Sequence, residues 1–339
     1  MNTLGMRGLS FVEFTGPYPE DLATLFASLG FSNLTRHAST DLRAFTQGQA
    51  RFLVQAQKGT FARRFAELHG PSVSALGFAF DDPRAAYAEA LARGARPFHP
   101  APGAAPSVDA PAVYGIGDSL VYFVDAHGRL GREFVSLEAP RVAAQLGFVA
   151  IDHLTNNVPQ GALAETARFY RDIFDFDEIR AFDIDGQKTG LYSFALRSPC
   201  GTFSIPINED KGATGQIAEY LREYRGAGVQ HVALATRDIL GTLDALRGRV
   251  PTLDIDASYY DDVFARVPGV REDHGRIRNH QVLVDGDARG YLLQVFTKNV
   301  IGPIFFELIQ RENHASFGEG NFGALFRSLE KDQERRGVL

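Results

Sequence analysis

An internal repetition constrains the fold of this chain more than any other feature of its sequence. Residues 74–82 align with residues 230–238, and each segment precedes a helical stretch that contains an Arg-Gly pair. Residues 9–15 align with residues 149–155 in the same way. All four segments are apolar runs of strand length, followed by a helix and further strand-like runs. The chain therefore consists of four similar units of about 70 to 80 residues, arranged as two pairs.

The repetition and the length of the chain together predict two domains. A chain of 339 residues exceeds the usual size of a single hydrophobic core. We expect an N-terminal domain over residues 1–140 and a C-terminal domain over residues 148–339, with the boundary near residues 139–147. The long repeat indicates paired modules within each domain, because solenoid repeats are shorter. The order of strand, helix and strands in each unit predicts an α+β fold.

Apolar periodicity gives the expected positions of the individual elements. Strands are expected near residues 9–14, 43–46, 52–55, 73–80, 119–125, 132–137, 148–155, 189–196, 202–207, 229–235, 281–284, 291–296 and 304–309. Helices are expected near residues 22–29, 61–69, 82–94, 163–174, 216–224, 239–246 and 322–329.

Charge and composition exclude several classes of protein. The net charge of −6 and the pI near 5.9 predict no basic surface for nucleic acid or anionic lipid. Cys200 is the single cysteine, so neither an intramolecular disulfide nor a cysteine-based metal site can form. No run of eighteen uncharged apolar residues occurs. We therefore expect a cytoplasmic protein that acts on a small molecule and binds neither nucleic acid nor membranes.

Three residues far apart in the chain form a candidate metal site. His153 and His231 lie in equivalent strands of the third and fourth units, and Glu307 lies in an otherwise apolar final strand. Burial of an unpaired carboxylate is costly, so a compensating charge is expected beside Glu307. A divalent cation bound by two imidazoles and one carboxylate would supply that charge. This ligand set, with open positions, is the facial triad of non-haem Fe(II) oxygenases.

The first half of the chain lacks the same three residues. The alignment places Glu13, Ala75 and Val135 at the positions of the candidate ligands. We therefore expect a metal site in the C-terminal domain and none in the N-terminal domain. The alternative interpretation treats the histidines as ordinary buried side chains and the glutamate as an ion-paired strand residue. The three residues together favour the metal site.

At these residues the sequence resembles the 4-hydroxyphenylpyruvate dioxygenases of the vicinal-oxygen-chelate superfamily. The resemblance covers nearly the whole chain, and five blocks carry it in order. These blocks are DHLTNNV at 152–158, IPINE at 205–209, GVQHVA at 228–233, FFELIQR at 305–311 and GEGNF at 318–322.

The resemblance implies a glyoxalase-like fold of two open β-barrels, each built from paired βαβββ modules, with a C-terminal lid helix. It implies Fe(II) bound by His153, His231 and Glu307. It also implies that 4-hydroxyphenylpyruvate and O2 are converted to homogentisate and CO2, a step of tyrosine and phenylalanine catabolism. The keto acid of the substrate would occupy two open positions on the metal and O2 the third, without a further organic cofactor. A homo-oligomer, dimer or tetramer, is expected.

The resemblance also implies the residues that line the substrate pocket. Polar groups that would orient the phenol and the keto acid are Ser193, Asn208, Gln216, Gln230 and Gln294. Of these, Gln230, Gln294 and Asn208 are the candidate catalytic residues. Aromatic walls would come from Phe296 and Phe305.

The C-terminal segment has one apolar stripe. From Asn321, a candidate N-cap, Phe322, Leu325, Phe326 and Leu329 recur at helical spacing. Packing against the core accounts for the two leucines in this interpretation. The family resemblance places Phe322 and Phe326, together with Phe317, as a lid over the site. The glycines at 318 and 320 would allow the lid to move.

Three other functions stay open at this point. A 4-hydroxymandelate synthase would share the metal, the substrate and the fold but oxidise the benzylic carbon. The retained Asn208 and the C-terminal phenylalanines favour ring hydroxylation over that reaction. An extradiol catechol dioxygenase would use the same ligand types, but it releases no CO2 and lacks the C-terminal helix. A metal-free module that binds an aromatic ligand would not need all three ligands.

Overall fold

Two curled β-sheets, one in each half of the chain, form the molecule. The computed structural model describes residues 1–128, 130–185, 189–212 and 215–337. Each sheet has eight strands and curls into an open barrel. The α+β class and the two open barrels predicted from the sequence are thereby confirmed. No helix in the described part of the chain has both the length and the apolar character needed to cross a membrane.

The N-terminal barrel has the strand order β6-β7-β5-β1-β4-β3-β2-β8. Its strands are β1 (Met6–Thr15), β2 (Ser32–His37), β3 (Leu42–Gln47), β4 (Ala50–Gln55), β5 (Ser72–Phe80), β6 (Ala112–Tyr114), β7 (Leu120–Asp125) and β8 (Phe134–Arg141). Its helices are α1 (Pro19–Ser28), α2 (Phe61–His69) and α3 (Pro83–Ala92). The start of α3 follows from its sequence, because the Asp82 carboxylate accepts hydrogen bonds from two backbone N–H groups of the first turn.

The C-terminal barrel has the strand order β10-β11-β12-β9-β13-β16-β15-β14. Its strands are β9 (Phe148–Val158), β10 (Asp177–Asp185), β11 (Gly190–Arg197), β12 (Ser204–Asp210), β13 (Gly228–Thr236), β14 (Leu283–Asp287), β15 (Gly290–Phe296) and β16 (Phe305–Glu312). Its helices are α4 (Leu163–Arg168), α5 (Gln216–Tyr224), α6 (Ile239–Leu246), α7 (Val263–Arg266), α8 (His274–Asn279) and α9 (Phe322–Arg335). The predicted helix over 163–174 is α4 followed by one π-helical turn, Phe169–Ile173.

The two barrels differ in the last strand of the second module. In the C-terminal barrel, β16 closes the module by pairing parallel to β13. In the N-terminal barrel, β7 takes that place beside β5, and β8 crosses to the far edge to pair with β2. Val135 lies on β8 and is therefore not the counterpart of Glu307. Sheet register places Tyr122 there, because Tyr122 pairs with Gly77 as Glu307 pairs with Ala233.

The predicted counterpart of His153 is also wrong. His153 pairs with Ala233 across β9 and β13, and the equivalent pair in the N-terminal barrel is Phe11 with Gly77. Glu13 lies two residues further along β1. The two strand pairs have the same register and the same bulges, and they match only when Phe11, not Glu13, is placed at the position of His153. Ala75 pairs with Glu13 as His231 pairs with Thr155. Ala75 is therefore the counterpart of His231, as predicted.

Side chains fill the interior of the N-terminal barrel. Phe11, Ala75 and Tyr122, at the three positions equivalent to the candidate ligands, belong to one buried apolar cluster. Their ring and methyl groups offer no metal ligand of the usual types. In the described part of the chain, the one group of His, Cys, Asp or Glu placed to share an ion lies in the C-terminal barrel.

Candidate functional site

The three candidate ligands converge inside the C-terminal barrel. β9, β13 and β16 are neighbouring central strands, and Ala233 of β13 pairs with both His153 and Glu307. His231 lies two residues before Ala233, so its side chain is on the same face of the sheet. Glu307 Oε2 lies 3.1 Å from His153 Nε2 and 3.3 Å from His231 Nε2. The two Nε2 atoms are 3.4 Å apart, and all three side chains are buried.

These separations suit a shared metal ion. Two donors at right angles, each about 2.1 Å from an ion, are about 3 Å apart. The hydrogen bonds that the two imidazoles make through Nδ1 also leave their Nε2 atoms available to a metal ion. His153 Nδ1 lies 2.8 Å from Asp152 Oδ1, and His231 Nδ1 lies 2.9 Å from Gln230 Oε1. Because each Nδ1–H donates to an oxygen acceptor, Nε2 is the nitrogen of each imidazole that can offer a lone pair to a metal ion.

The electrostatics of the site hold a carboxylate charge inside the barrel. Burial alone would raise the pKa of Glu307, but the two imidazoles outweigh it and lower the pKa to about 2. Burial lowers the pKa of His153, and the charges of Glu307 and Asp152 more than offset this and raise it to about 9. Burial lowers the pKa of His231. Without a metal ion, a proton on His153 therefore balances the charge of Glu307.

Two glutamines predicted to bind substrate also contact the candidate ligands. Gln230 accepts from His231, and its amide group donates to Gln216 Oε1 at 2.6 Å. Gln294 Nε2 donates to Glu307 Oε1 at 2.9 Å and to the Phe317 carbonyl at 3.2 Å. Both donor hydrogens of the Gln294 amide are thereby used. The hydrogen bonds show that each glutamine orients one candidate ligand, while the predicted role of both toward substrate stays a prediction.

Two further residues beside the site were missed by the sequence analysis. Asp152 holds His153, and Arg311 binds both carboxylate oxygens of Asp152 at 2.8 Å. The Arg311 guanidinium and the hydrogen bond to His153 outweigh burial, so the pKa of Asp152 is held well below its usual value. Both residues lie in the blocks DHLTNNV and FFELIQR, next to or near a candidate ligand. A carboxylate adjacent to a metal-binding histidine was the available signal.

A pocket opens from the candidate metal site. The space between its lining residues, including the open mouth, is about 930 Å³. All the residues predicted to contact substrate line it: Ser193, Asn208, Gln216, Gln230, Gln294, Phe296, Phe305, Phe317, Phe322 and Phe326. Lining residues that the sequence analysis did not assign to the pocket include Thr155, Phe182, Leu191, Pro206, Leu325 and Leu329. Ser193 and Asn208 are directly paired neighbours on β11 and β12.

The C-terminal helix α9 and the residues before it cover this pocket. The Phe317 ring lies 5.4 Å from the His153 ring, and Phe322 lies 5.4 Å from Phe182. Asn321 occupies the predicted N-cap position of α9, but its side chain caps no backbone group of that helix. Asn321 instead donates to Gln294 Oε1 at 2.9 Å and accepts from the Tyr259 hydroxyl at 2.7 Å. The cover is therefore joined to the site by a buried polar contact.

Comparisons with known proteins identify the family. A family model described as hydroxyphenylpyruvate dioxygenase, N-terminal, matches residues 1–146. A model of the glyoxalase, bleomycin resistance protein and dioxygenase superfamily matches residues 150–264. The chain is 43% identical to 4-hydroxyphenylpyruvate dioxygenase of Legionella pneumophila strain Philadelphia 1, over 100% of this chain and 98% of that protein. The chain belongs to the 4-hydroxyphenylpyruvate dioxygenase family. Members of this family are oxidoreductases, and so is this protein.

Other members and neighbours of this dioxygenase family extend the comparison. The chain is 49% identical to protein MelA of Shewanella colwelliana, over 100% of this chain and 99% of that protein. Among solved structures, a variant of 4-hydroxymandelate synthase from Streptomyces coelicolor superposes with a TM-score of 0.83. It is 27% identical, over 97% of this chain and 99% of that one. Family membership thus establishes a dioxygenase with a vicinal-oxygen-chelate fold.

Proposed function

We propose that the protein is an Fe(II)-dependent dioxygenase that converts 4-hydroxyphenylpyruvate and O2 to homogentisate and CO2. The observation that carries the proposal is the group of His153, His231 and Glu307 at the inner end of an aromatic pocket. Two imidazoles and one carboxylate on one side of an ion leave its other positions open toward that pocket. The 43% identity to a dioxygenase named for this substrate supports the choice of substrate.

Fe(II), when bound, supplies open coordination positions for the keto acid and O2 and the electrons that activate O2. The chain itself supplies a single negative charge, because the two imidazoles are neutral as ligands. His153, His231 and Glu307 would therefore cancel only part of the charge of a divalent ion, which would favour an anionic substrate at this end of the pocket. Asp152 and Gln230 hold the Nδ1 protons of the two histidines, so both Nε2 atoms stay available as ligands.

The pocket walls would orient the substrate and exclude water. Ser193 and Asn208 project from neighbouring strands, where a hydroxyl and an amide can hydrogen-bond the polar ends of the substrate. Phe305 stacks on the His231 ring at 4.8 Å, and the centre of the Phe317 ring lies 5.4 Å from that of His153. Aromatic rings against both histidines keep water from the reacting atoms, which protects an oxidant from quenching.

The alternative that keeps specific support is 4-hydroxymandelate synthase. The solved structure of that enzyme shares the fold over nearly the full length of both chains. Its identity of 27% is lower than the 43% shared with the named dioxygenase. Asn208 and the phenylalanines at 305, 317, 322 and 326 all line the pocket, as ring hydroxylation was expected to require. We therefore favour homogentisate as the product.

Incubation of the purified protein with Fe(II), ascorbate, O2 and 4-hydroxyphenylpyruvate tests the proposal. We expect CO2 release and homogentisate, identified by chromatography against standards because homogentisate and 4-hydroxymandelate have equal mass. His153→Ala should abolish turnover, whereas Arg7→Met, in an exposed ion pair of the N-terminal barrel, should not. 4-Hydroxymandelate as the product would establish the alternative. Catechol consumption without CO2 release would instead indicate an extradiol enzyme.

Two further properties belong to the same proposal. We infer that the protein acts in the cytoplasm, because the single cysteine fits a reducing compartment. We also propose a homo-oligomer, a dimer or a tetramer. Light scattering of the purified protein during size-exclusion chromatography measures its mass, and the mass of a single 37.2 kDa chain would refute the oligomer.

A further inference from the structure

Arg311 joins two parts of the molecule through one guanidinium group. Its Nε and Nη2 atoms donate to the two carboxylate oxygens of Asp152, each at 2.8 Å. Its Nη1 atom donates to the backbone carbonyls of His314 and Ser316, at 3.0 and 2.5 Å. The guanidinium carbon also lies 5.8 Å from the centre of the Phe317 ring. A single side chain therefore contacts both the acid beside the metal site and the chain that leads to α9.

The partner of Arg311 holds a candidate metal ligand directly. Asp152 Oδ1 accepts from His153 Nδ1 at 2.8 Å. The carboxylate of Asp152 thus has one oxygen shared between Arg311 and His153 and the other bound to Arg311 alone. A bidentate arginine fixes the plane of a carboxylate as well as its position. Arg311 therefore sets the direction from which Asp152 meets the imidazole of His153.

A second connection reaches the same segment of chain from another ligand. Gln294 donates to Glu307 and to the carbonyl of Phe317, and it accepts from Asn321. Residues 313–321, between β16 and α9, are accordingly tied to two of the three candidate ligands by separate side chains. Here we name residues 313–321 the C-terminal connection. Its backbone carbonyls at 314, 316 and 317 are the anchoring points.

We propose that Arg311 is a positioning residue that aligns His153 for metal binding through Asp152 and at the same time anchors the C-terminal connection over the pocket. Arg311 then supports both the metal site and the C-terminal connection that lies over it. A change that displaces one of them therefore destabilises the other. This inference rests on the metal-dependent function proposed above. Partners that orient a metal-binding histidine are worth about 10- to 100-fold in metal affinity.

The planar fork of arginine is required for this arrangement. Arg311 makes four hydrogen bonds in nearly fixed directions, two to a carboxylate and two to carbonyls. A lysine ammonium at the same position has three donors on a flexible stem and cannot reproduce a bidentate contact. Charge alone would be preserved in Arg311→Lys, while the alignment of Asp152 would be lost. Arg311→Met keeps the length of the stem but removes every donor.

Two measurements on the apo protein test the proposal without relying on turnover. The first is the affinity for Co(II), by titration and by its visible absorption band. The second is hydrogen–deuterium exchange of residues 314–321. We expect Arg311→Met to weaken Co(II) binding about 10- to 100-fold and to speed exchange in the C-terminal connection. Asp152→Asn should weaken Co(II) binding while leaving exchange closer to wild type, because Arg311 still holds the two carbonyls.

The matched control is Arg7→Met, which removes another bidentate arginine, the partner of Asp81 in the N-terminal barrel. It should leave both measurements at wild-type values. If Arg311→Met does not fold, Arg311→Lys decides the question with the same two measurements. If Arg311→Met lowers the melting temperature but binds Co(II) within twofold of the Arg7→Met control, the proposal is overturned. If the wild-type protein binds Co(II) but does not turn over the keto acid with Fe(II), the proposed function is overturned and this inference still stands.

Discussion

The carboxyl group of Glu13 is buried inside the N-terminal barrel without a balancing cation in contact. Its side chain is 1% exposed, and Ser74 Oγ donates to Oε1 at 2.6 Å. Oε2 has no hydrogen-bond partner among the described residues. Burial raises the pKa of Glu13 to about 7, and the serine hydrogen bonds only partly oppose it. The folded protein therefore holds a proton on Glu13 that the unfolded chain releases above about pH 4.5.

This protonation makes stability fall as the pH rises. The free energy of unfolding should decrease between about pH 4.5 and 7 and level off above, because only the folded state then retains the proton. Glu13→Gln removes this dependence. Between about pH 4.5 and 7, we expect the free energy of unfolding of wild type to fall by roughly 3 kcal/mol more than that of Glu13→Gln. Urea denaturation at several pH values measures it. The free energy of unfolding of the exposed control Glu138→Gln should depend on pH as that of wild type does. If the curves of unfolding free energy against pH are parallel for Glu13→Gln and wild type, the prediction is contradicted.

The proton on His153 makes metal binding pH-dependent. Glu307 and Asp152 outweigh burial and raise the pKa of His153 to about 9, and the ligand form of the imidazole is neutral. A divalent ion must therefore displace a proton. We expect the Co(II) affinity of the apo protein to rise about tenfold per pH unit between pH 6 and 8. Titration of Co(II) in buffers of equal ionic strength checks this. An affinity independent of pH would show that His153 is already neutral in the apo protein.

The candidate ligands could be predicted from the sequence, but the hydrogen bond from Gln294 that orients one of them could not. His153, His231 and Glu307 stand out because each places a polar group in an apolar strand. The amide of Gln294 gives no such signal, since its choice between substrate, Glu307 and Phe317 depends on where β15, β16 and the C-terminal connection meet. Hydrogen-bond partners of this kind are set by tertiary placement.

The central strands were predictable, whereas three strands at or next to a sheet edge, β2, β6 and β10, were not. β9, β13 and β16 are apolar runs, because both of their faces are covered. β10 was missed entirely. Its sequence DEIRAFDID is mostly exposed and shows no apolar period, so only pairing with β11 makes it a strand. The crossing of β8 to β2 was missed for a similar reason, since its residues are largely exposed and specify no partner.

The pairing of β1 with β5 depends on a glycine inside a strand. A Cβ atom on Gly77 would lie 2.3 Å from the Phe11 ring, and the Phe11 ring is fully buried. We expect Gly77→Ala to destabilise the protein by about 1 to 3 kcal/mol, because the ring must shift within a packed interior. Chemical denaturation measures this. Gly131→Ala is the control, since a Cβ there meets nothing within 4 Å. Equal stability of the two variants would refute the steric argument.

The two barrels share one hydrophobic core. Phe306 of β16 contacts Phe14, Phe26 and Phe52 of the N-terminal barrel, with ring centres 5.9 to 6.5 Å apart. The main buried cluster accordingly runs through both halves of the chain. Phe306 stands between Phe305, which lines the pocket, and the candidate ligand Glu307. The strand that carries the candidate ligand Glu307 is thus supported from behind by the N-terminal barrel.

A substitution in the N-terminal barrel should therefore lower the stability of the metal site. Phe52 is fully buried and also stacks on Phe31 at 4.4 Å. We expect Phe52→Ala to cost about 3 to 5 kcal/mol, since a large aromatic ring leaves a cavity. Thermal unfolding followed by circular dichroism and by the Co(II) absorption band should give coincident transitions, both at a lower temperature. The exposed control Leu68→Ala should leave the melting temperature unchanged. If part of the circular dichroism signal is lost at a temperature at which the Co(II) band persists, the two barrels unfold independently. The N-terminal barrel would then not support the site.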